Sequence, residues 1–262
     1  MDKIVNERNL PIIGAICGDI LGSGYEWHPV KTLEMDLCQI DDIYTDDTVC
    51  TIAVTDAIVN QKSFAETLRK WCRKYSFAGY GPSFRIWIKL ETGEPYNSWG
   101  NGSAMRVSAS GALANSLEES LRIAKESAEV THNHPEGIKG AQATASAIYM
   151  AKTGSSKDEI KDYIQTKFGY DLERNYKEIQ PSYQFDVSCQ GSVPESIICF
   201  LESKDFEDAV RHAIAMGGDA DTMAAITGSI AAAYYKTIPE GILTHCLNRV
   251  PQDMKNILIS IK

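Results

Sequence analysis

Signals that open helices recur along the whole chain, and no stretch of useful length alternates apolar and polar residues as a half-buried strand does. Ser63–Glu66, Ser116–Glu119, Ser156–Glu159 and Ser192–Glu195 each have the Ser-x-x-Glu form of a capping box. Pro82 and Pro135 stand where a first helical turn accepts proline. The pattern predicts an all-α fold, a single compact orthogonal multi-helix domain over residues 1–262. Helices are expected over Leu10–Leu21, after Thr45, from Ser63, from Pro82, over Ser103–Ala114 and from Ser116 to about Ala128. Others are expected from Pro135 to about Lys152, from Ser156, and near 193–202, 206–216, 222–235, 240–248 and 252–261. Residues 24–43 read as irregular, and residues 168–190 as a long loop with one short helix, a length that loops reach mostly for function or mobility.

Two of the helix openings are strongly acidic. Thr45-Asp46-Asp47-Thr48 precedes the apolar run Val49–Val59, and Gly217-Gly218-Asp219-Ala220-Asp221-Thr222 precedes Met223–Ala233. Carboxylates suit a first turn, where they face unpaired N–H groups and the positive end of the dipole, so capping alone explains either stretch. Together, Asp46, Asp47, Asp219 and Asp221 with the hydroxyls of Thr45 and Thr222 make a set of hard oxygen donors. Such a set suits Mg²⁺, Mn²⁺ or Ca²⁺ better than Zn²⁺. If the two stretches meet, their repulsion favours bound cations, and a two-metal site is the sharper expectation.

Composition narrows the class. Hydrophobic residues at 44% and charged ones at 23% describe an ordinary globular chain. A formal charge of −9 leaves no basic surface for sequence-independent nucleic-acid binding, and no uncharged run approaches a membrane span. Met1–Arg8 carries both charge signs and no apolar core, unlike a signal peptide. The seven cysteines form no C-x-x-C and several lie in apolar runs, which fits buried reduced thiols and gives a catalytic cysteine no motif. A cytoplasmic monomer is expected.

Glycine-rich, polar helix openings recur at Gly79–Pro82, Gly100–Ser103 and Thr131–Pro135, where free N–H groups and absent side chains let a phosphate approach. With the two acidic openings they suggest a cleft lined by helix N-termini for a phosphorylated ligand and metal ions. Glu26 follows the small residues Gly22-Ser23-Gly24 and reads either as a base or gate on a mobile loop, or as a solvated glutamate. Asp19 inside an apolar helix must find a partner, structural or metallic. His132 and His134 read as doing separate jobs, one on a ligand and one as a cap, or as plain surface residues. Trp99 and Tyr80 stack on a base or simply pack, and His28, His212 and His245 give no signal.

Taken in order, Gly18-Asp19 with Glu26, Thr45–Thr48, Gly79-Tyr80-Gly81, Trp99–Arg106, Thr131-His132 and Gly217–Thr222 resemble the ADP-ribosylglycohydrolase family over most of the chain, from about Leu10 to Tyr235. The resemblance implies an all-α fold with a binuclear Mg²⁺ (or Mn²⁺) centre held by Thr45, Asp46, Asp47, Asp219, Asp221 and Thr222. It implies a substrate in which C1 of a ribose of ADP-ribose is joined to a side chain, arginine first, with serine or another linkage open. The partner is then an ADP-ribosylated protein or a small ADP-ribose conjugate, with DNA-linked ADP-ribose also open. By the same likeness Gly79, Gly81, Ser98, Gly100, Asn101, Gly102, Ser103, Met105 and His132 line the ADP-ribose cleft, and Glu26, Asp46, Asp47 and Asp221 stand at the reacting bond. Ala220 departs from the Ser or Thr that many members carry there, with a minor effect expected.

Two other classes compete. A non-catalytic ADP-ribose-binding or crystallin-like structural member is disfavoured by the complete acidic set. An isoprenoid-synthase-like diphosphate enzyme needs D-D-x-x-D, and the spacing fails both at Asp41-Asp42, which meets Thr45, and at Asp46-Asp47, which meets Cys50.

Overall fold

The apolar run expected from Leu10 forms α1 (Leu10–Ser23), buried on nearly every side. Its structure and that of residues 4–262 are described by a computed structural model. The N-terminal segment Met1–Arg8 lies in part outside the described residues. Next come α2 (Asp46–Val59), α3 (Phe64–Lys74), α4 (Pro82–Lys89), α5 (Gly102–Met105), α6 (Ser108–Leu113), α7 (Leu117–Glu129) and α8 (Pro135–Thr153). The chain continues through α9 (Lys157–Phe168), α10 (Tyr176–Ile179), α11 (Cys189–Glu202), α12 (Phe206–Ala215), α13 (Ala220–Tyr235), α14 (Glu240–Leu247) and α15 (Gln252–Ile259). Among the described residues there is no strand; one antiparallel bridge joins Gly100 to Ser188. None of these helices is long and apolar enough to cross a membrane.

The centre of the fold is a seam of small residues. A Cβ on Gly22 would lie 2.5 Å from the Ala220 carbonyl oxygen, one on Gly18 2.0 Å from that of Ala224, and one on Gly14 2.4 Å from that of Gly228. Their four-residue spacing puts these glycines on one face of α1, and α13 presents its own small residues in antiparallel register. With no side chains between them the backbones touch, and a hydrophobic cluster running from Leu10 to Ile261 closes around the pair. The seam brings the end of α1, with Asp19 and the loop carrying Glu26, beside the acidic start of α13.

Three expected elements differ from the observed ones. The helix expected over Ser103–Ala114 is broken into α5 and α6 at Arg106 and Val107, both near φ −90° and ψ 0°. The break lets Arg106 turn inward, where its Nη2 donates to the Ser127 carbonyl and to Thr131 Oγ1, both at 2.8 Å. The helix expected from 193 begins earlier, at Cys189 with Ser188 as its cap, so Pro194 lies inside it and residues 168–190 form a shorter loop. Ser192 is no cap: its hydroxyl donates to the Ser188 carbonyl, and Glu195 pairs with Arg174 at 2.7 Å. Pro194 leaves the carbonyl of Gln190 without a helical donor, and Gln190 is exposed, where water can serve. Of the four Ser-x-x-Glu patterns, the reciprocal box forms at Ser156–Glu159; Ser63 and Ser116 cap their helices, but Glu119 turns to the Asn115 backbone N–H instead.

Candidate active site

Asp19 opens the account of the site because it fixes where α2 begins. It is fully buried and accepts from the backbone N–H groups of Thr45 and Thr48 at 3.0 Å and from both threonine hydroxyls, Thr45 Oγ1 at 2.6 Å and Thr48 Oγ1. A carboxylate from one helix thus caps another. Burial still pushes its pKa above the ordinary value, with these four donors pulling it back. Thr45 caps from within as well, its Oγ1 accepting from the Asp47 N–H at 3.3 Å.

The anchored start of α2 meets the start of α13. Thr222 Oγ1 donates to Asp47 Oδ2 at 3.3 Å, and the Thr222 N–H donates to Asp221 Oδ1 at 2.8 Å. Asp219 occupies the cap position of α13 without capping it; its carboxylate accepts from Asn101 Nδ2 at 2.7 Å, which holds it toward the cleft. One oxygen each from Asp19, Asp47 and Asp221 lie within 4.8 Å of one another, and so do one each from Glu26, Asp219 and Asp221. Two carboxylate triads sharing Asp221 can each hold a cation. Asp46 belongs to neither triad and faces Gly79, where an added Cβ would come within 3.3 Å of its Oδ1.

Crowding has an electrostatic signature. Burial, then the neighbouring charges of Asp221 and Asp19, push Asp46 and Asp47 well above the ordinary carboxylate value. Burial and then Asp219 do the same to Asp221. Burial raises Asp219 to about 6 and, with the fields of Asp221 and Asp19, raises Glu26 to about 7. Asp47 Oδ1 is buried without any hydrogen-bond partner.

All the triad carboxylates except the fully buried Asp19 stand at a cleft of about 690 Å³. Glu26, Asp46, Asp47, Asp219, Asp221 and Thr222 line it, as do Gly79, Gly81, Ser98, Gly100, Asn101, Gly102, Met105 and His132. Two expected residues do not. Thr45 stands behind, its hydroxyl given to Asp19, and Ser103 is fully buried with its hydroxyl donating to the Gly137 carbonyl at 2.7 Å. Glu26 is half-buried rather than a solvated glutamate. Gly79 has φ +106°, a conformation that favours glycine, and the bridge to Ser188 holds Gly100 and Asn101 through Asn101 N–H to Val187 O at 2.8 Å.

The histidines divide the work. His134 caps α8, its Nδ1 accepting from the Glu136 N–H at 3.1 Å. His132 is buried; burial, and then the Arg106 charge, depress its pKa well below the ordinary value, so the ring is neutral. Thr131 Oγ1 accepts from Arg106 and lies 2.7 Å from His132 Nδ1. The other ring nitrogen, Nε2, is the one beside Gly100 and Gly102. Tyr80 packs, its hydroxyl donating to the Tyr75 carbonyl, whereas Trp99 is 47% exposed on the cleft wall. Cys38 is exposed and the other six cysteines are buried; burial pushes the Cys189 thiol up to about 12, far from a thiolate nucleophile.

The cleft also holds Trp27 and Phe185, neither of which stood out by itself in the sequence. The signals were indirect, since Trp27 follows Glu26 and Phe185 lies in the 168–190 stretch already marked by its length.

The fold and cleft define a class: an all-α protein whose glycine-rich cleft carries carboxylates suited to hard cations. A family model described as ADP-ribosylglycohydrolase matches residues 11–260, and the chain belongs to that family of enzymes, which hydrolyse ADP-ribose linkages. Mouse ADP-ribosylhydrolase ARH3 is 25% identical, over 90% of this chain and 86% of its own length. The ADP-ribosylarginine hydrolase Tri1 of Pseudomonas putida is 24% identical, over 86% of this chain and 69% of its own. A solved structure titled an ADP-ribosylglycohydrolase-related protein complex superposes with a TM-score of 0.76 at 20% identity, covering 99% of this chain and 98% of that one, a likeness of fold.

Proposed function

We propose that this chain is a divalent-metal-dependent ADP-ribosylhydrolase that cleaves the bond between C1 of ribose and a modified amino-acid side chain. The observation that carries the reading is the pair of carboxylate triads sharing Asp221 at the cleft. The donors fit Mg²⁺ or Mn²⁺: all are hard oxygens, their burial without a cationic partner raises every pKa among them, and Asp47 Oδ1 is an orphan. Asp46, Asp47, Asp219, Asp221 and Thr222 would hold two such ions, with Asp19 and Glu26 completing the two triads and Thr45 standing behind, its hydroxyl given to Asp19. Bound there, they would acidify water and fix the sugar hydroxyls.

The protein's own groups supply the rest. The backbone at Gly79, Gly81, Gly100 and Gly102 leaves room for a diphosphate, and the neutral His132 sets a ring nitrogen there without a charge. Trp99 gives a flat face to the base. Water adds to C1, the bond from C1 to the side-chain heteroatom breaks, and the departing atom gains a proton. Glu26 is the carboxylate suited to take the water proton and pass it on, with Asn101 and Thr222 keeping Asp219 and Asp47 in place meanwhile.

The test is release of ADP-ribose from arginine-linked and serine-linked substrates with Mg²⁺ and with EDTA. Release should need the metal and fall by roughly a hundredfold or more in Asp46→Ala and Asp221→Ala. Metal-independent release, or full activity in both variants, would sink the reading. Binding of ADP-ribose without any release would point to a binding protein.

A further inference from the structure

Trp27 and Phe185 come from loops far apart in the chain, yet their rings stack with centroids 5.7 Å apart and planes at 24°. Both remain open to solvent, Trp27 at 72% and Phe185 at 46% exposure, so the face of Trp27 turned from Phe185 is uncovered. The loops are firmly joined beneath the rings. Lys31 Nζ, four residues after Trp27, donates to the carbonyls of Gln180 and Tyr183, at 2.7 and 2.8 Å, and to that of Met216 at 2.5 Å. The position of the pair is defined by Glu26, the residue before Trp27, whose carboxylate reaches the triad with Asp219 and Asp221, and Trp27 and Phe185 line the same cleft. An exposed aromatic face therefore adjoins the carboxylates of the cleft.

We propose that Trp27 and Phe185 form the subsite for the side chain that carries ADP-ribose, and that this subsite takes the guanidinium of an arginine. The inference rests on the hydrolase reading above and names its substrate class. A guanidinium is planar and weakly hydrated, and it gains by lying on an aromatic face beside a carboxylate. The molecule already uses this pairing internally, with the Arg69 guanidinium 4.0 Å from the Trp87 ring centroid. Beyond Phe185 the surface stays acidic: Glu178, Asp186 and Glu195 line the adjoining depression, and its Arg174 is already held by Glu195 at 2.7 Å. Serine leaves as a neutral hydroxyl and an acetyl ester as acetate, and neither gains from such a surface.

The experiment compares wild type, Trp27→Ala, Phe185→Ala and Trp27→Phe on three substrates: arginine-linked ADP-ribose, serine-linked ADP-ribose and ADP-ribose carrying an acetyl ester. Calorimetry with free ADP-ribose checks the rest of the cleft, and agmatine, which carries the arginine side chain alone, serves as inhibitor. The expected result is a loss of roughly tenfold or more in kcat/KM on the arginine linkage in both alanine variants. Agmatine inhibition should weaken in parallel. Turnover of any other linkage and ADP-ribose affinity should stay within about threefold, and Trp27→Phe should keep most of the arginine activity. Three results overturn the proposal: no selective loss, an equal loss on every linkage in Trp27→Phe, or a wild type that cleaves serine or ester linkages but not arginine. In the last case the hydrolase reading survives. If wild type releases nothing while ADP-ribose still binds, both readings fall together.

Discussion

Buried carboxylates in this chain serve two opposite ends, and Asp56 shows the structural one. It is 2% exposed and accepts from Asn60 Nδ2 and Lys62 Nζ at 2.7 Å and from Trp71 Nε1 at 2.9 Å, which ties the end of α2 to α3. Burial pushes its pKa up, but these donors and the Lys62 charge outweigh that and leave it below the ordinary value. A depressed pKa contributes stability above the ordinary carboxylate range and loses it as pH falls through the folded value. Asp56→Ala should cost about 2 kcal/mol at pH 7, leaving the Trp71 N–H without its acceptor. The gap between variant and wild type should narrow below about pH 4. Urea unfolding at pH 7 and pH 3 measures it, and an unchanged gap contradicts the account. The carboxylates at the cleft have donors too, Asn101 for Asp219 and Thr222 for Asp47 and Asp221, but no cation, and burial and mutual repulsion win, so their shifts run the other way.

At the scale of elements, the α1–α13 seam decides how near the two helices lie and hence where the acidic ends meet. In an ordinary helix Gly→Ala is favourable by up to about 1 kcal/mol. At Gly18 the new Cβ would stand 2.0 Å from a backbone oxygen, which no side-chain movement relieves, so the helices must separate. Gly18→Ala should destabilise the protein by about 3 kcal/mol and weaken divalent-cation affinity, because Asp19 and Asp221 ride on the two sides of the seam. Gly241, on α14, has nothing within 4 Å of its added Cβ and serves as the control. Gly241→Ala should be neutral or slightly stabilising. Thermal unfolding of both variants is the measurement, and a Gly18→Ala protein as stable as wild type would falsify the tight-seam description.

For the molecule as a whole, gathering carboxylates at one cleft opposes folding until cations neutralise them. Ions that bind the folded chain and not the unfolded one add RT ln(1 + [L]/Kd), about 2.7 kcal/mol at a hundred times Kd. For a chain of 262 residues this should raise Tm by roughly 5–10 °C on adding Mg²⁺ or Mn²⁺ after chelation. Asp221→Ala, which removes the residue common to both triads, should show little or no rise. Equal rises in the variant and wild type would place cation binding elsewhere on this acidic surface.

Much of this was written locally. The all-α class, the two acidic helix openings and the glycine-rich turns depend on neighbours within a few residues, so the sequence by itself determined them, whereas it leaves His132 open between a ligand contact and the surface because the burial of that ring and the Arg106 charge come from afar. Even the boundaries followed wherever one cap decided them, as at Ser63, Ser116 and Ser156. They failed where a distant partner outbid the local signal: the inward pull on Arg106 split one helix, and Arg174 drew Glu195 away from Ser192. Only the tertiary structure decided that Asp19 caps a helix 26 residues on, that Asp219 stands at a cap position yet faces the cleft, and that Ser103 turns from it. The Trp27–Phe185 stack and the α1–α13 seam belong to the same group, for each joins residues about 150 or more positions apart. Local sequence sets what a backbone prefers to do; which side chains then meet is fixed by packing, which no short window of sequence contains.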